Sequence, residues 1–293
     1  MSFVIPVIIL AIVQGLAELL PVSSSAHVIV AEKFMGMDPG SSENMLLLVM
    51  LHTGTMLAVI VYFWKGWKQT FFSSRQASWR YAKMLVLATA LTGVVFLAIK
   101  MALDKLVLHG ERIETLARNL PLIASALACA GVLIVYAGLR RAKTSGHDPS
   151  FIQSVDISAK QSASVGLIQG LCIPFRGFSR SGATISVGLL ASVPRRLAEE
   201  FSFALAVILT PAAIAMELHN LVKDHPELRS AGLGSIAHLL LPGMLGLVFS
   251  FLAGLVALRW LSRWLEKGRW HYFGYYCLVA AAAVLVLHFG WGY

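Results

Sequence analysis

Six apolar runs, at roughly 45–64, 83–103, 119–139, 200–217, 236–258 and 271–290, are long enough, or nearly so, to cross a bilayer as helices. Nothing else in the chain constrains its fold as much. Hydrocarbon offers no water to backbone N–H and C=O groups, so spanning segments must satisfy them internally. Composition agrees. Of 293 residues 57% are hydrophobic and 13% charged, against about 25% charged in a soluble domain. The net charge of +9 could suit nucleic acid, but in a polytopic membrane protein it marks basic cytoplasmic loops, and no nucleic-acid partner is expected. Cys129, Cys172 and Cys277 lie far apart in apolar runs and read as small buried hydrophobes, not as a disulfide frame or zinc site. The apolar start lacks a basic n-region and a clear cleavage site, so it reads as part of the mature fold.

Charge sets the expected sidedness. Residues 65–83 hold five basic side chains and no acid, 140–160 four basic and two acidic, and 259–269 four basic and one acidic; Arg195 and Arg196 precede the fourth span. The alternate segments 32–43, 104–118 and 217–229 hold one, three and two basic residues against three acids each. The positive-inside rule makes the first group cytoplasmic and the second external.

Residues 1–36 and 160–194 do not fit the count of spans. Both are apolar but broken near the middle by Pro, Gly and Ser. Each must enter and leave on one face, the first from outside and the second from the cytoplasm, as a broken-helix hairpin around a cavity. "IVQGLAELLPVSSSAH" (12–27) and "LIQGLCIPFRGFSRSGA" (167–183) share two apolar residues, Gln-Gly-Leu, a proline, and Ser-x-Ser followed by a small residue. Three spans follow each copy, and an odd number per half inverts the second half relative to the first. The expected fold is an all-α polytopic membrane protein built as an inverted-topology repeat, with six full spans and two re-entrant broken-helix hairpins. It is a single membrane domain, 1–293. Repeat 1 covers about 1–139, a linker about 140–159, and repeat 2 about 160–293.

The two breaks carry the chemistry. Ser-rich turns lead into helix starts, whose free N–H groups attract anions. Arg180 adds a fixed fork of donors suited to phosphate. His27 exchanges protons near neutrality and, three residues after Ser24, shares its helix face. Glu18 in an apolar run needs a cation, a proton or a metal. Ser23 and Ser25 read as caps, His238 as a bridge between helices, and His52 equally as bridge or functional group. Arg176 reads as a residue of the rim. An acid, a hydroxyl, an imidazole and a guanidinium suffice for phosphoryl transfer, which depends chiefly on positioning and charge neutralisation.

"GLAELLPVSSSAH" and "GFSRSGATIS" resemble the two signature motifs of the undecaprenyl-diphosphatase family, the bacitracin-resistance phosphatases of bacterial plasma membranes. The resemblance extends to "LHTGTMLAVIVYFW" and "AEEFSFALAV" and to the span pattern of the whole chain. It implies hydrolysis of undecaprenyl diphosphate to the monophosphate and phosphate, recycling the lipid carrier of peptidoglycan synthesis, with the site opening to the external side. Carried over by position, Glu18, Ser24 and His27 come from the first motif, and Ser179, Arg180, Ser181 and Thr184 from the second. Either the serine or the histidine is the family's nucleophile. The reading taken here is Ser24 with His27 as its base, phosphate oxygens held by Arg180 with Ser179, Ser181 and Thr184, and Glu18 binding metal or orienting His27 or water. The implied cofactor is a divalent cation, magnesium or calcium. The implied partners are the polyprenyl diphosphate, membrane lipids and a second copy in a homodimer.

Two departures stand out. The family's first motif usually begins with an acid where this chain has Gln14, which can bond Glu18 or a phosphate oxygen. Its second motif usually has Pro-Gly where this chain reads "PFRG", with Arg176 before Gly177. The competing function is a transporter or flippase of a lipid phosphate or other anion, because an anion site between helix starts in a repeat fold serves transport equally well. Ser24 and His27 separate the two, since a carrier needs no nucleophile–base pair.

Overall fold

A computed structural model describes residues 4–37, 41–105, 119–144, 156–224 and 233–291. The described residues form helices α1 (Val4–Leu19), α2 (Ser24–Phe34), α3 (Ser42–Thr70), α4 (Arg75–Leu103), α5 (Leu120–Thr144), α6 (Ala159–Cys172), α7 (Arg180–Leu190), α8 (Arg195–Asp224), α9 (Leu233–Glu266) and α10 (His271–Trp291). No strand occurs among them. Six helical stretches are long and apolar enough to span a membrane: Asn44–Thr70, Arg75–Leu103, Leu120–Arg141, Arg195–Lys223, Leu241–Glu266 and His271–Gly290. They are the six runs expected from the sequence, and the protein is a multi-pass membrane protein.

Several helices overrun the apolar runs at their basic ends. α3 continues through Lys65 and Lys68, and α9 through Arg259 and Arg263. Lys and Arg are good helix formers whose stems stay in the apolar zone while their charges reach water. Helix therefore extends beyond hydrophobicity. Much of the expected linker, together with the side chain of His238, lies outside the described residues.

The two segments that did not fit the span count are helix–break–helix units. α1 and α2 are separated by Leu20–Ser23, and α6 and α7 by Ile173–Ser179. α6 opens with a capping box, in which Ser158 and Gln161 satisfy each other's backbone N–H. α1 packs on α9 as α6 packs on α4, while α3 meets α8 and α5 meets α10. The glycine of Gln-Gly-Leu makes the first two crossings close. A Cβ on Gly15 would lie 2.6 Å from the Ala253 Cβ of α9, and one on Gly170 2.7 Å from the Thr92 carbonyl oxygen of α4. With no solvent to drive helices together in lipid, such small-residue contacts bring backbones into van der Waals range.

Candidate active site

Glu18 sits one residue before the end of α1, and the first break folds α2 back across it. Its carboxylate gathers donors from both halves of the chain. Ser24 Oγ donates to Oε2 at 2.5 Å, Gln14 Nε2 donates to Oε2 at 3.3 Å, and Arg180 Nη2 donates to Oε1 at 3.0 Å. The Gln14 contact follows from helical spacing, one turn apart on α1. The other two are tertiary. Arg180 is the first residue of α7, so the second break delivers its guanidinium to the acid of the first. The Glu18 side chain is 17% exposed and that of Arg180 26%. Neither charge is comfortable alone at this depth, and each is the other's counter-ion.

His27 stands apart from Ser24. Its Nδ1 lies 2.8 Å from the Ser23 carbonyl oxygen, and its Nε2 lies 2.6 Å from the Tyr276 hydroxyl of α10. The two rings lie edge to edge, with centroids 5.7 Å apart and planes 14° from parallel. The hydroxyl expected to bond His27 is instead bonded to Glu18. His27 reaches back four residues to that carbonyl, as His52 does to the Leu48 carbonyl within the unbroken α3, and Ser23 at the break adopts φ 68° and ψ 99°. Such a left-handed φ is costly for a residue with a Cβ and persists where the surroundings fix it.

The capping expectations divide. Ser23 occupies the N-cap position of α2, but its side chain makes no capping bond, and Ser25 lies within the first turn of α2 and is no cap. Ser179 does cap α7, accepting from the Gly182 N–H at 3.2 Å. Thr184 donates to the Arg180 carbonyl at 2.8 Å and shares a hydrogen bond of 2.5 Å with Ser202 of α8. Ser179, Ser181 and Thr184 are all buried. They stand behind Arg180, and Ser179 and Thr184 have partners within the protein. Gly177 explains the altered "PFRG" turn. It adopts φ 101°, and a Cβ there would lie 2.3 Å from the Ile123 carbonyl oxygen of α5. The exposed Arg176 precedes the one residue of that turn that must be glycine.

Two further groups complete the site. His52 of α3 donates from Nδ1 to the Leu48 carbonyl at 2.8 Å and turns Nε2 toward Glu18 Oε2, 3.9 Å away. Of its two sequence readings, the structure places it at the site. Tyr276 had no signal. It is one aromatic among several in "HYFGYYC", a composition typical of a membrane-interface belt.

Among the described residues no group of three or more His, Cys, Asp or Glu could hold a metal ion unaided. Glu18, the amide oxygen of Gln14 and Nε2 of His52 nevertheless suit a divalent cation that brings phosphate oxygens as its remaining ligands, as magnesium commonly does.

Residues 7–283 match the profile of the family described as bacitracin resistance protein BacA. A protein of Acinetobacter baylyi named undecaprenyl-diphosphatase 2 is 52% identical over 285 residues, covering 96% of each chain. Undecaprenyl-diphosphatases of Rhodopirellula baltica and Corynebacterium glutamicum are 32% and 31% identical, covering 98% and 96% of this chain and 99% and 89% of their own.

Proposed function

The chain belongs to the bacitracin resistance protein BacA family, and from that membership and the geometry around Glu18 we propose that it hydrolyses undecaprenyl diphosphate to undecaprenyl phosphate and phosphate. In a bacterium this recycles the lipid carrier of peptidoglycan synthesis and confers bacitracin resistance. The observation that carries the reading is the 2.5 Å bond from the Ser24 hydroxyl to a carboxylate already paired with Arg180. A hydroxyl aimed at a base beside a fixed cation is an activated nucleophile next to a phosphate anchor. A carrier for an anion needs the cation but not the hydroxyl–carboxylate pair, so hydrolysis is the reading favoured over transport.

The diphosphate draws Arg180 to its own oxygens. Glu18 keeps the hydrogen bond from Ser24. Ser24 Oγ bonds to the terminal phosphorus as its proton passes to Glu18. The bond from that phosphorus to the bridging oxygen breaks, and undecaprenyl phosphate leaves with the electron pair. Water then attacks the phosphoserine, giving its proton to His27. The Ser24 oxygen leaves phosphorus and recovers the proton held by Glu18. Glu18 thus takes the part that the sequence assigned to His27, and His27 serves the water. A divalent cation, magnesium or calcium, would be held by Glu18, Gln14 and His52 and would neutralise charge on the phosphates.

The site faces the external side of the plasma membrane, and the chain is an inverted repeat. Supporting the repeat, α1 on α9 answers α6 on α4, and the Gly15 and Gly170 crossings correspond. A homodimer is the proposed assembly, to be read from the mass of the solubilised protein.

The test is phosphate release from undecaprenyl diphosphate by purified protein. Ser24→Ala, His27→Ala and Arg180→Ala are each expected to cut turnover at least about a hundredfold. Folded variants with near-normal release would overturn the assignment.

A further inference from the structure

His27 is held by two elements far apart in the chain, and the chemistry of its two contacts fixes its proton. The group opposite Nδ1 is the Ser23 carbonyl oxygen, which can only accept, so Nδ1 carries hydrogen. In the neutral ring Nε2 then bears the lone pair, and the Tyr276 hydroxyl 2.6 Å away is its donor. Turning the imidazole over would place carbon opposite both oxygens and lose both bonds.

α10 is itself fixed where it does this. The residue after Tyr276, Cys277, donates its thiol to the Pro21 carbonyl of the same break at 3.1 Å. Two residues before Tyr276, Gly274 lies against α5 so closely that a Cβ there would come within 2.6 Å of the Gly131 carbonyl oxygen. Consecutive residues of α10 thus grip the first break from a helix that cannot readily slide.

We propose that Tyr276 is the positioning residue of His27: with the Ser23 carbonyl it holds the imidazole in one orientation and one tautomer, the proton on Nδ1 and the basic lone pair on Nε2. The proposal deepens the phosphatase reading and, for its kinetic arm, rests on it. With Nδ1 committed to a carbonyl, Nε2 is the nitrogen through which His27 exchanges protons, and every such proton crosses or displaces the phenol. A hydroxyl suits that place. It donates to neutral Nε2 and, by turning its O–H, accepts from protonated Nε2, so the contact survives both charge states. Phenylalanine would keep the ring and lose this.

The experiment has three arms. In Tyr276→Phe, kcat for undecaprenyl diphosphate falls about tenfold, less than the loss of His27 itself, while KM and thermal stability stay near wild type. In a His27→Ala background the same change costs nothing further, as for two residues acting as one unit. In protein labelled with 15N-histidine, the His27 signals, identified by their absence from His27→Ala, show hydrogen on Nδ1 and an acceptor at Nε2, and the Nε2 signal moves in Tyr276→Phe. Unchanged or faster turnover in Tyr276→Phe would overturn the proposal. So would an equal loss in the His27→Ala background, or hydrogen on Nε2 in the wild type. Wild-type protein that releases no phosphate would defeat the phosphatase reading instead, and the tautomer would still be decided by the labelled spectra.

Discussion

Between Leu19 and Ser24 the chain leaves α1 for α2 through Ser23 at φ 68°, with no side-chain cap on the new helix. Between Cys172 and Arg180 it leaves α6 for α7 through Gly177 at φ 101°, and Ser179 caps the Gly182 N–H. Both breaks stem from the same Gln-Gly-Leu motif, yet they dispose of their polar groups in opposite ways. At the second, Ser179 and Thr184 find partners in the scaffold, and Arg180 alone reaches out. At the first, Ser24 turns to Glu18, while His27 is held between the Ser23 carbonyl and Tyr276. The two motif glutamines follow suit. Both are buried, but Gln14 bonds Glu18, whereas Gln169 donates to Thr92 of α4 at 3.2 Å. The difference suggests how one motif used twice can be divided. One copy ties its hydroxyls to the scaffold and presents a single cation, while the other pairs its acid with a hydroxyl and with that cation.

The comparison breaks first if the two hairpins do not enter from opposite faces. In a cysteine-free background, cysteine at the exposed Ser74, after α3, should resist an impermeant thiol reagent in intact cells. Cysteine at the exposed Asn119, before α5, should react fully. Labelling of both from outside would end the inverted reading.

The same substitution at the paired glutamines should have opposite results. Gln169→Glu puts a carboxylate where nothing is exposed and should cost about 3 kcal/mol or more, seen as loss of folded protein in a thermal-shift or expression assay. Gln14 is also buried, but Gln14→Glu should fold, because the Glu18 carboxylate it touches is already paired with Arg180. It should also lower the magnesium or calcium concentration for half-maximal phosphate release, since two acids then flank the phosphates. An unchanged or higher requirement would mean that position 14 binds no cation.

The smallest effects should sit behind Arg180. Ser179→Ala loses a cap and Thr184→Val loses its bond to Ser202, each costing about 1 kcal/mol, with turnover per folded molecule nearly unchanged. The family resemblance makes both residues substrate ligands. A hundredfold loss of turnover in either, without loss of stability, would move the second break into the chemistry.

Much of the fold was legible because a bilayer leaves few choices: length, apolarity and loop charge located six spans, and Pro, Gly and Ser located the two breaks. The convergence of Glu18, Ser24 and Arg180 was legible too, because both motifs placed them at helix ends. Side-chain pairing within the first break was not. Spacing put Ser24 and His27 on one face, but Ser24 bonds Glu18 and His27 bonds the Ser23 carbonyl, and nothing in "VSSSAH" marks that division. Tyr276 was invisible for a different reason. Its contact joins positions 249 apart in sequence, and aromatic residues near a span end usually mean only an interface.

That separation also has a cost in time. A ribosome adding about 5–20 residues per second makes Glu18 long before Arg180, 162 residues later. For roughly ten seconds to half a minute the acid has no cation to meet, and the tyrosine that seats His27 comes later still. Until then Glu18 lacks the counter-ion that makes a buried carboxylate tolerable in hydrocarbon. The site is therefore among the last parts of the molecule to assemble. A chain truncated before α10 would hold both motifs and still have no seat for its histidine.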